Sequence, residues 1–381
     1  MKGHQEPCAR GAERVGFRAP CPGQPRAAAP AICAADTACM HDVARVAGVS
    51  AATVSRVVRG STLVSADTRD HVLAVIDALG YVPGAYAQGL SSRRKDVIGL
   101  VSLGRGGTEI DVERTTMLFT DQVVRAAAAV LRGTSFSLLL TFGRSGEEFE
   151  RRVRSLTGKV DGLLVAEEVM PAGDLRALAR RIPVVVIAGR PEETALDLFT
   201  ADNQAGMTAL VRHLVAGHGH RRLSFVSGPQ DAPDARERQA AFEAAVLAGR
   251  DSVIEQVIHG DFSEGSGTAA ARVLLDGLDR RSLPDAVVCA NDQMAIGVLR
   301  EFQRAGLRIP DDVALTGFDD IYPGRLLDPA LTTVSQPMGE LGTRAAERLL
   351  ARIAEPGLPP SAQMLPTTAL FRASCGCRPR A

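Results

Sequence analysis

Aromatic residues are scarce in this chain. Phe, Tyr and Trp make up 4% of its 381 residues, and Trp is absent. Stacking platforms for single-stranded nucleic acid are built from such side chains, so that class of binding protein is disfavoured. Long apolar runs are also missing: no stretch approaches the ~20 apolar residues that a membrane-crossing helix needs. Excess charge is missing too, since 44 basic residues cancel 44 acidic ones. No nucleophile, base and orienting group appear together in recognisable form, so the chain is not expected to be an enzyme. Cysteine is sparse and odd in number, seven in all. With no apolar export signal, a reducing cytoplasm is the expected compartment.

What is present is unevenly spread. Residues 1–39 are rich in Ala, Pro, Gly and Arg, without periodicity, and hold Cys8, Cys21, Cys33 and Cys39. The spacings of these cysteines match no common zinc pattern, and Pro20, Pro22, Pro25 and Pro30 interrupt every candidate apolar stretch. This segment is expected to be disordered, or an extension ahead of a true start at Met40. Residues 40–95 carry seven Lys/Arg against four Asp/Glu, whereas residues 96–381 carry 32 against 37. A small basic module on a slightly acidic body suits a protein with one end on phosphate. At 45% apolar, the chain has material for two or three cores.

The segment from Met40 is the informative one. His41–Ala47 has apolar residues at helical spacing and Asp42 in its first turn, where the helix dipole favours an anion. Gly48 can take the left-handed conformation that closes a helix, and Ser50 can cap the next one. That helix, from Ala51 to Val58, keeps Val54, Val57 and Val58 on one face and Ala51, Ala52, Ser55 and Arg56 on the other. A polar, uncluttered face after a tight turn is what docking into the DNA major groove needs. Val64-Ser65 leads into a third amphipathic helix over 68–79, ended by Gly80 and Pro83.

Asp42-Val-Ala, Ala47-Gly-Val-Ser, Thr53-Val-Ser-Arg-Val, Val64-Ser, Thr68-Arg and Leu79-Gly-Tyr-Val-Pro83 together resemble the helix-turn-helix domain of the LacI/GalR family of bacterial transcription regulators. The resemblance implies that Ala51 and Ala52 face base edges and that Arg56 contacts a base. It implies phosphate contacts for Ser50, Thr53, Ser55, Ser65 and Thr68, whose other reading is as caps and solvated faces. Arg59 replaces a commonly seen Asn and could add a phosphate contact. Residues 84–90 resemble the family's hinge helix, whose Leu wedges into the minor groove; Leu90 is the matching position. Gly84 and Gly89 each make a free hinge helix less favourable by roughly 1 kcal/mol relative to Ala. Ser91-Ser-Arg-Arg-Lys95 reads as a basic joint.

From Val97 onward, short apolar runs alternate with helical stretches. The runs lie at 97–103, 136–141, 160–166, 183–188, 223–227, 253–258, 286–290 and 313–317. Helical patterns fall between them at 121–132, 146–156, 174–181, 204–216, 235–248, 265–276 and 293–305. Apolar strands separated by helices imply parallel sheet buried on both faces, and eight strands suit two doubly wound lobes. Over 96–377 the pattern is similar to the type I periplasmic-binding-protein-like body of the same family, notably in Val160-Asp-Gly-Leu-Leu, Ala290-Asn-Asp-Gln-Met-Ala295, Gly317-Phe-Asp-Asp320 and Leu331-Thr-Thr-Val. The expected fold is therefore α/β: a small all-α head at 40–83, a hinge at 84–95, a first lobe from 96–200 and 337–361, and a second from 201–336 and 362–377.

By that resemblance Arg238 contacts effector oxygens, Asn291 and Asp319 face the cleft, and Gln336 sits at a crossover. A fork of Arg donors with Asp and Asn acceptors independently suits the hydroxyls of a sugar. Asp202-Asn203 could do likewise, but a helix N-cap is the favoured reading, as it is for Asp292. Ala188-Gly189-Arg190 stands where relatives often carry an acidic residue, and Arg190 is a further cleft candidate. A Gly104-x-Gly106 pair after a strand lacks the third Gly of a dinucleotide loop. His213, His218 and His220 cluster, yet Gly217-His-Gly-His reads as a helix end and turn. Cys375-Gly-Cys377 alone is an incomplete metal set. No cofactor and no metal site are expected.

The reading that follows is a homodimeric regulator, expected to be a repressor, binding a near-palindromic operator in double-stranded DNA. A small effector, expected to be a sugar, would sit between the lobes; an inducer and a corepressor mode are both open. The alternative is a solute-binding protein with the same body and no transcriptional role, which would leave residues 40–95 without a purpose.

Overall fold

The computed structural model describes residues 38–58, 60–81, 94–103, 118–143, 146–166, 170–189, 196–249, 251–276 and 283–377. Contacts divide the chain into two units, meeting at Ser91/Ser92. In the first, helices α1 (Met40–Ala47), α2 (Ala51–Val58) and α3 (Ala66–Ala78) enclose a small core of Val43, Ala44, Ala47, Val54, Val57, Val72 and Tyr81. Each helix begins and ends where its chemistry dictates. The Asp42 carboxylate accepts from the Cys39 backbone N–H at 3.0 Å, so the start of α1 includes the residue before Met40. Gly48 closes α1 at φ 65°, a conformation L side chains resist.

The second unit holds two parallel sheets. The first runs β11-β5-β4-β3-β1-β2 in space, from β1 (Val97–Leu103), β2 (Ser137–Gly143), β3 (Gly162–Ala166), β4 (Val184–Ile187), β5 (Asp197–Ala201) and β11 (Ala362–Leu365). The second runs β7-β6-β8-β9, from β6 (Arg222–Ser227), β7 (Val253–His259), β8 (Ala286–Cys289) and β9 (Ala314–Thr316). A third, antiparallel ribbon pairs β10 (Thr333–Ser335) with β12 (Thr368–Leu370). Helices α4 (Leu118–Leu131), α5 (Glu147–Leu156), α6 (Ala172–Ala179) and α12 (Met338–Ala354) serve the first sheet. Helices α7 (Asn203–Arg212), α8 (Pro233–Leu247), α9 (Glu264–Leu275) and α10 (Asp292–Arg304) serve the second, and a one-turn α11 (Tyr322–Arg325) follows β9.

Alternate residues of the first sheet enter different cores, as parallel strands buried on both faces require. Leu164, Val185 and Ile187 pack with α4 and α12, whereas Leu163, Val165, Val184 and Val186 face α5 and α6. Around the second sheet one continuous core gathers Phe225, Phe242, Val287, Phe302 and Phe318.

All eight expected strands are present, together with β5, β10, β11 and β12, which are short or carry no apolar run. One expectation needs correction. Ala362–Leu365, assigned to the second lobe with the rest of 362–377, instead pairs with Leu198–Ala201 as the outer strand of the first sheet. Gln363 and the exposed Met364 give this edge strand little apolar signal, and its place follows from strand pairing alone.

Candidate functional site

In the head, Ser50 caps α2: its Oγ accepts the Thr53 backbone N–H at 3.1 Å and lies 2.9 Å from Thr53 Oγ1. Ser65 does the same for α3, accepting from Thr68 N and meeting Thr68 Oγ1 at 2.8 Å. Ala52 and Arg56 are exposed on α2, and Ala51, Thr53 and Ser55 are half-buried. The cap reading and the outward-facing reading therefore apply to the same residues, since a capping hydroxyl on a helix N-terminus stays at the surface. Arg69, not singled out from sequence, donates to the Ser61 and Val64 carbonyls and holds the loop between α2 and α3. Arg59 and Leu90 lie outside the described residues, as does Arg190 of the body.

The polar site of the body forms at the carboxyl ends of β6, β8, β9 and β10, where ligands of doubly wound sheets bind. Arg238 of α8 is its centre and is 3% exposed. Its Nε donates to Asn203 Oδ1 at 2.9 Å, and its Nη1 donates to the Ala290 carbonyl at 2.8 Å and to Asp319 Oδ1 at 3.2 Å. The guanidinium lies 3.9 Å from the centre of the Phe318 ring, a stacked cation–π arrangement. Asn203 in turn donates to Asp234 and Glu237, and Gln336 Nε2 donates to Asp319 Oδ1. Burial pushes the Asp319 carboxyl up to about 6, against the opposing pull of Arg238 and of the Gln336 hydrogen bond. Asp319 and Asp320 adopt φ of 115° and 57°, consecutive left-handed conformations of non-glycine residues. Such strain persists only where surroundings over-determine it, and here Arg325 and Arg372 hold Asp320 at 2.6 Å each.

Sequence reasoning placed Arg238, Asp319 and Gln336 together, and the structure does so. It makes Asn291, rather than Asp292, the helix cap. Asn291 is the N-cap of α10, accepting from Met294 N at 3.0 Å while its amide donates to the Phe262 carbonyl. Asp292, expected as the cap, is fully buried and accepts from Thr333 Oγ1 at 2.6 Å and from the Ile321 N–H at 2.9 Å. Burial, with Asp319 and Asp320 nearby, raises its pKa well above the usual carboxylate range. Asp202 caps α7 as expected, through Ala205 N. Asn203 and Asp234 were missed as partners of Arg238. For Asp234 the local signal is its spacing, four residues before Arg238 on one helix; Asn203 reads from sequence with Asp202 as a cap.

Against the expectation of no metal site, one cluster among the described residues has the composition to hold an ion. The C-terminal tail brings Cys375 and Cys377 against His213 and His218, with one ligand atom from each within 4.8 Å of the others. The two half-sets are incomplete in sequence and meet only in the fold.

A profile of bacterial regulatory proteins of the lacI family matches residues 39–84, and one of the periplasmic binding protein-like domain matches residues 211–375. The HTH-type transcriptional regulator CelR of Thermobifida fusca is 35% identical over 341 residues, covering 87% of this chain and 96% of its own. The chain belongs to the LacI family. The ribose operon repressor of Escherichia coli K12 is 33% identical, covering 84% of this LacI-family chain and 94% of its own. Among solved structures, the lac repressor dimer bound to operator and the anti-inducer ONPF superposes with a TM-score of 0.73. It is 26% identical and covers 89% of this chain and 99% of its own. The CelR–cellobiose complex superposes with a TM-score of 0.64, at 33% identity over 88% of this chain and 99% of its own. This LacI-family protein is a DNA-binding transcription regulator with an effector-binding body, and these relatives are regulators and repressors rather than enzymes. No helix among the described residues is long and apolar enough to cross a membrane.

Proposed function

We propose that the protein is a cytoplasmic repressor that binds a near-palindromic operator as a homodimer and responds to a small polyhydroxylated effector, a sugar or close derivative. Ala51, Ala52 and Arg56 would read base edges; Ser50, Thr53, Ser55, Arg59, Ser65 and Thr68 would hold phosphates; Leu90 would enter the minor groove. Residues 40–83 form the reading head, 84–95 the hinge, and two lobes with crossings near 201, 336 and 366 the sensor. Arg190 would add a cation to the first lobe's side of the cleft.

The observation that carries the effector reading is the buried Arg238, locked by Asn203, Ala290 and Asp319 at the sheet's carboxyl end. A fixed donor fork beside a carboxylate acceptor matches vicinal hydroxyls, which donate and accept at once. That relatives include CelR solved with cellobiose and a ribose operon repressor agrees with a sugar. Effector binding would favour one relative angle of the lobes and so bias operator affinity by its differential affinity for the two states. The test is recovery of genomic DNA fragments by the full chain, read by sequencing, with and without cellobiose, ribose and other sugars. One palindromic motif gained or lost with one sugar supports the reading. Sugar binding with no DNA recovered would favour a solute-binding protein.

A further inference from the structure

The cluster at the C-terminal tail is separate from both sites above. Helix α7 ends in a π-type turn, His213–Gly217, in which the His218 backbone N–H donates to the His213 carbonyl at 3.2 Å. A π turn spaces aligned side chains five residues apart, and such turns recur at functional positions. Here it sets the two imidazoles edge to face, with Nε2 atoms 3.0 Å apart. Phe371 stacks on the His213 ring, 3.6 Å between centres, which fixes its plane. From the other side, the tail turns at Gly376, whose φ of 97° is suited to glycine and brings both flanking cysteines toward the histidines. Cys377 Sγ lies 3.3 Å from His213 Nε2 and 3.5 Å from His218 Nε2, and Cys375 Sγ lies 3.7 Å from His213 Nε2.

We propose that His213, His218, Cys375 and Cys377 form a structural zinc site that fastens the C-terminal tail to the end of α7. Zinc bonds of ~2.0–2.1 Å to nitrogen and ~2.3 Å to sulfur place tetrahedral ligand atoms roughly 3.3–3.8 Å apart. Three of the separations given above, 3.3, 3.5 and 3.7 Å, fall in that range, the two imidazole nitrogens stand closer at 3.0 Å, and all four ligand atoms lie within 4.8 Å of one another. Two thiolates and two imidazoles are a soft, four-ligand set that leaves no open position, the mark of a structural rather than a catalytic site. Binding is charge-balanced: two thiols release two protons as one divalent ion enters. The tail is worth fastening. Its Arg372 holds Asp320, and the Ser374 hydroxyl accepts from Thr332 N and donates to the Leu315 carbonyl, all next to the effector-binding turn.

The test uses the full chain, made without a polyhistidine tag and kept reduced. Zinc content is measured by elemental analysis, and cobalt is added to metal-free protein to read the visible bands of a tetrahedral thiolate complex. Wild type should carry stoichiometric zinc and give those bands. His218→Ala, at an exposed ligand, and Cys377→Ser should each lower zinc affinity by about 100-fold or more while leaving a folded, DNA-binding protein. Metal-free wild type without cobalt bands would overturn the site. So would full zinc retention in both variants, which would place the ion on other cysteines.

Discussion

Arg56 and Arg238 carry the same charge and do opposite jobs, because one is exposed and the other is not. Arg56 stands free on the outer face of α2. Arg56→Ala should therefore leave the fold intact and weaken operator binding by ~1–3 kcal/mol, with relaxed preference at one base pair, as read by binding to operator variants. Arg238 is committed to a buried network, and Arg238→Ala would strand Asp319 and Asn203. That loss should lower stability by ~3–5 kcal/mol in chemical denaturation of the body and abolish effector response. Asp319 predicts a pH effect of definite sign. Its folded pKa of about 6 lies above the ordinary 3.8, so protonation favours the fold as pH falls through that window. The same protonation removes the carboxylate acceptor. Effector affinity measured by calorimetry should thus fall as pH drops from 7 to 5 without unfolding; an unchanged affinity would remove Asp319 from the binding set.

Helices α9 and α10 pack at two glycines. A Cβ on Gly297 would lie 2.1 Å from the Glu264 carbonyl oxygen, and one on Gly267 would lie 2.1 Å from that of Met294. These are backbone atoms that cannot swing away, so the helices must separate. Gly297→Ala should destabilise by ~1–3 kcal/mol, although alanine is by itself the better helix former by ~1 kcal/mol. Gly339 in α12 has open space around its Cβ position. Gly339→Ala should be neutral or stabilising in the same denaturation series, and the contrast isolates the clash from propensity. The helix boundaries themselves were legible from sequence. Gly48, Ser50, Ser65 and Asp202 act within three residues of where they stand, so their effect is local. What escaped was α12, although Leu341, Ala345 and Leu349 lie at helical spacing, and the short strands β5, β10, β11 and β12, whose apolar content is low or whose partners lie far along the chain.

At the scale of the whole molecule, a neutral chain hides a basic head. If two such heads bind one operator, affinity should fall linearly with the logarithm of salt concentration, with a slope that neutralising Arg59 reduces by about one contact per head. Titration of operator affinity from low to high salt, at fixed effector, checks this. An unchanged slope in that variant would argue against a phosphate contact by Arg59.

The sequence by itself determined the head and the alternation of strand and helix, because capping, periodicity and the lacI-type motif act between near neighbours. Tertiary structure alone decided which polar groups meet. The Arg238 network joins residues 203, 234, 290, 319 and 336, and the histidine–cysteine cluster joins 213 and 218 to 375 and 377. It also decided that Asn291 caps while Asp292 is buried, and that Ala362–Leu365 edges the first sheet. The partners of a buried polar group are set by strand order and register. Those are settled by packing between segments as far as 164 residues apart, such as β5 and β11, where Ala362 pairs with Leu198, and leave no trace in a local window.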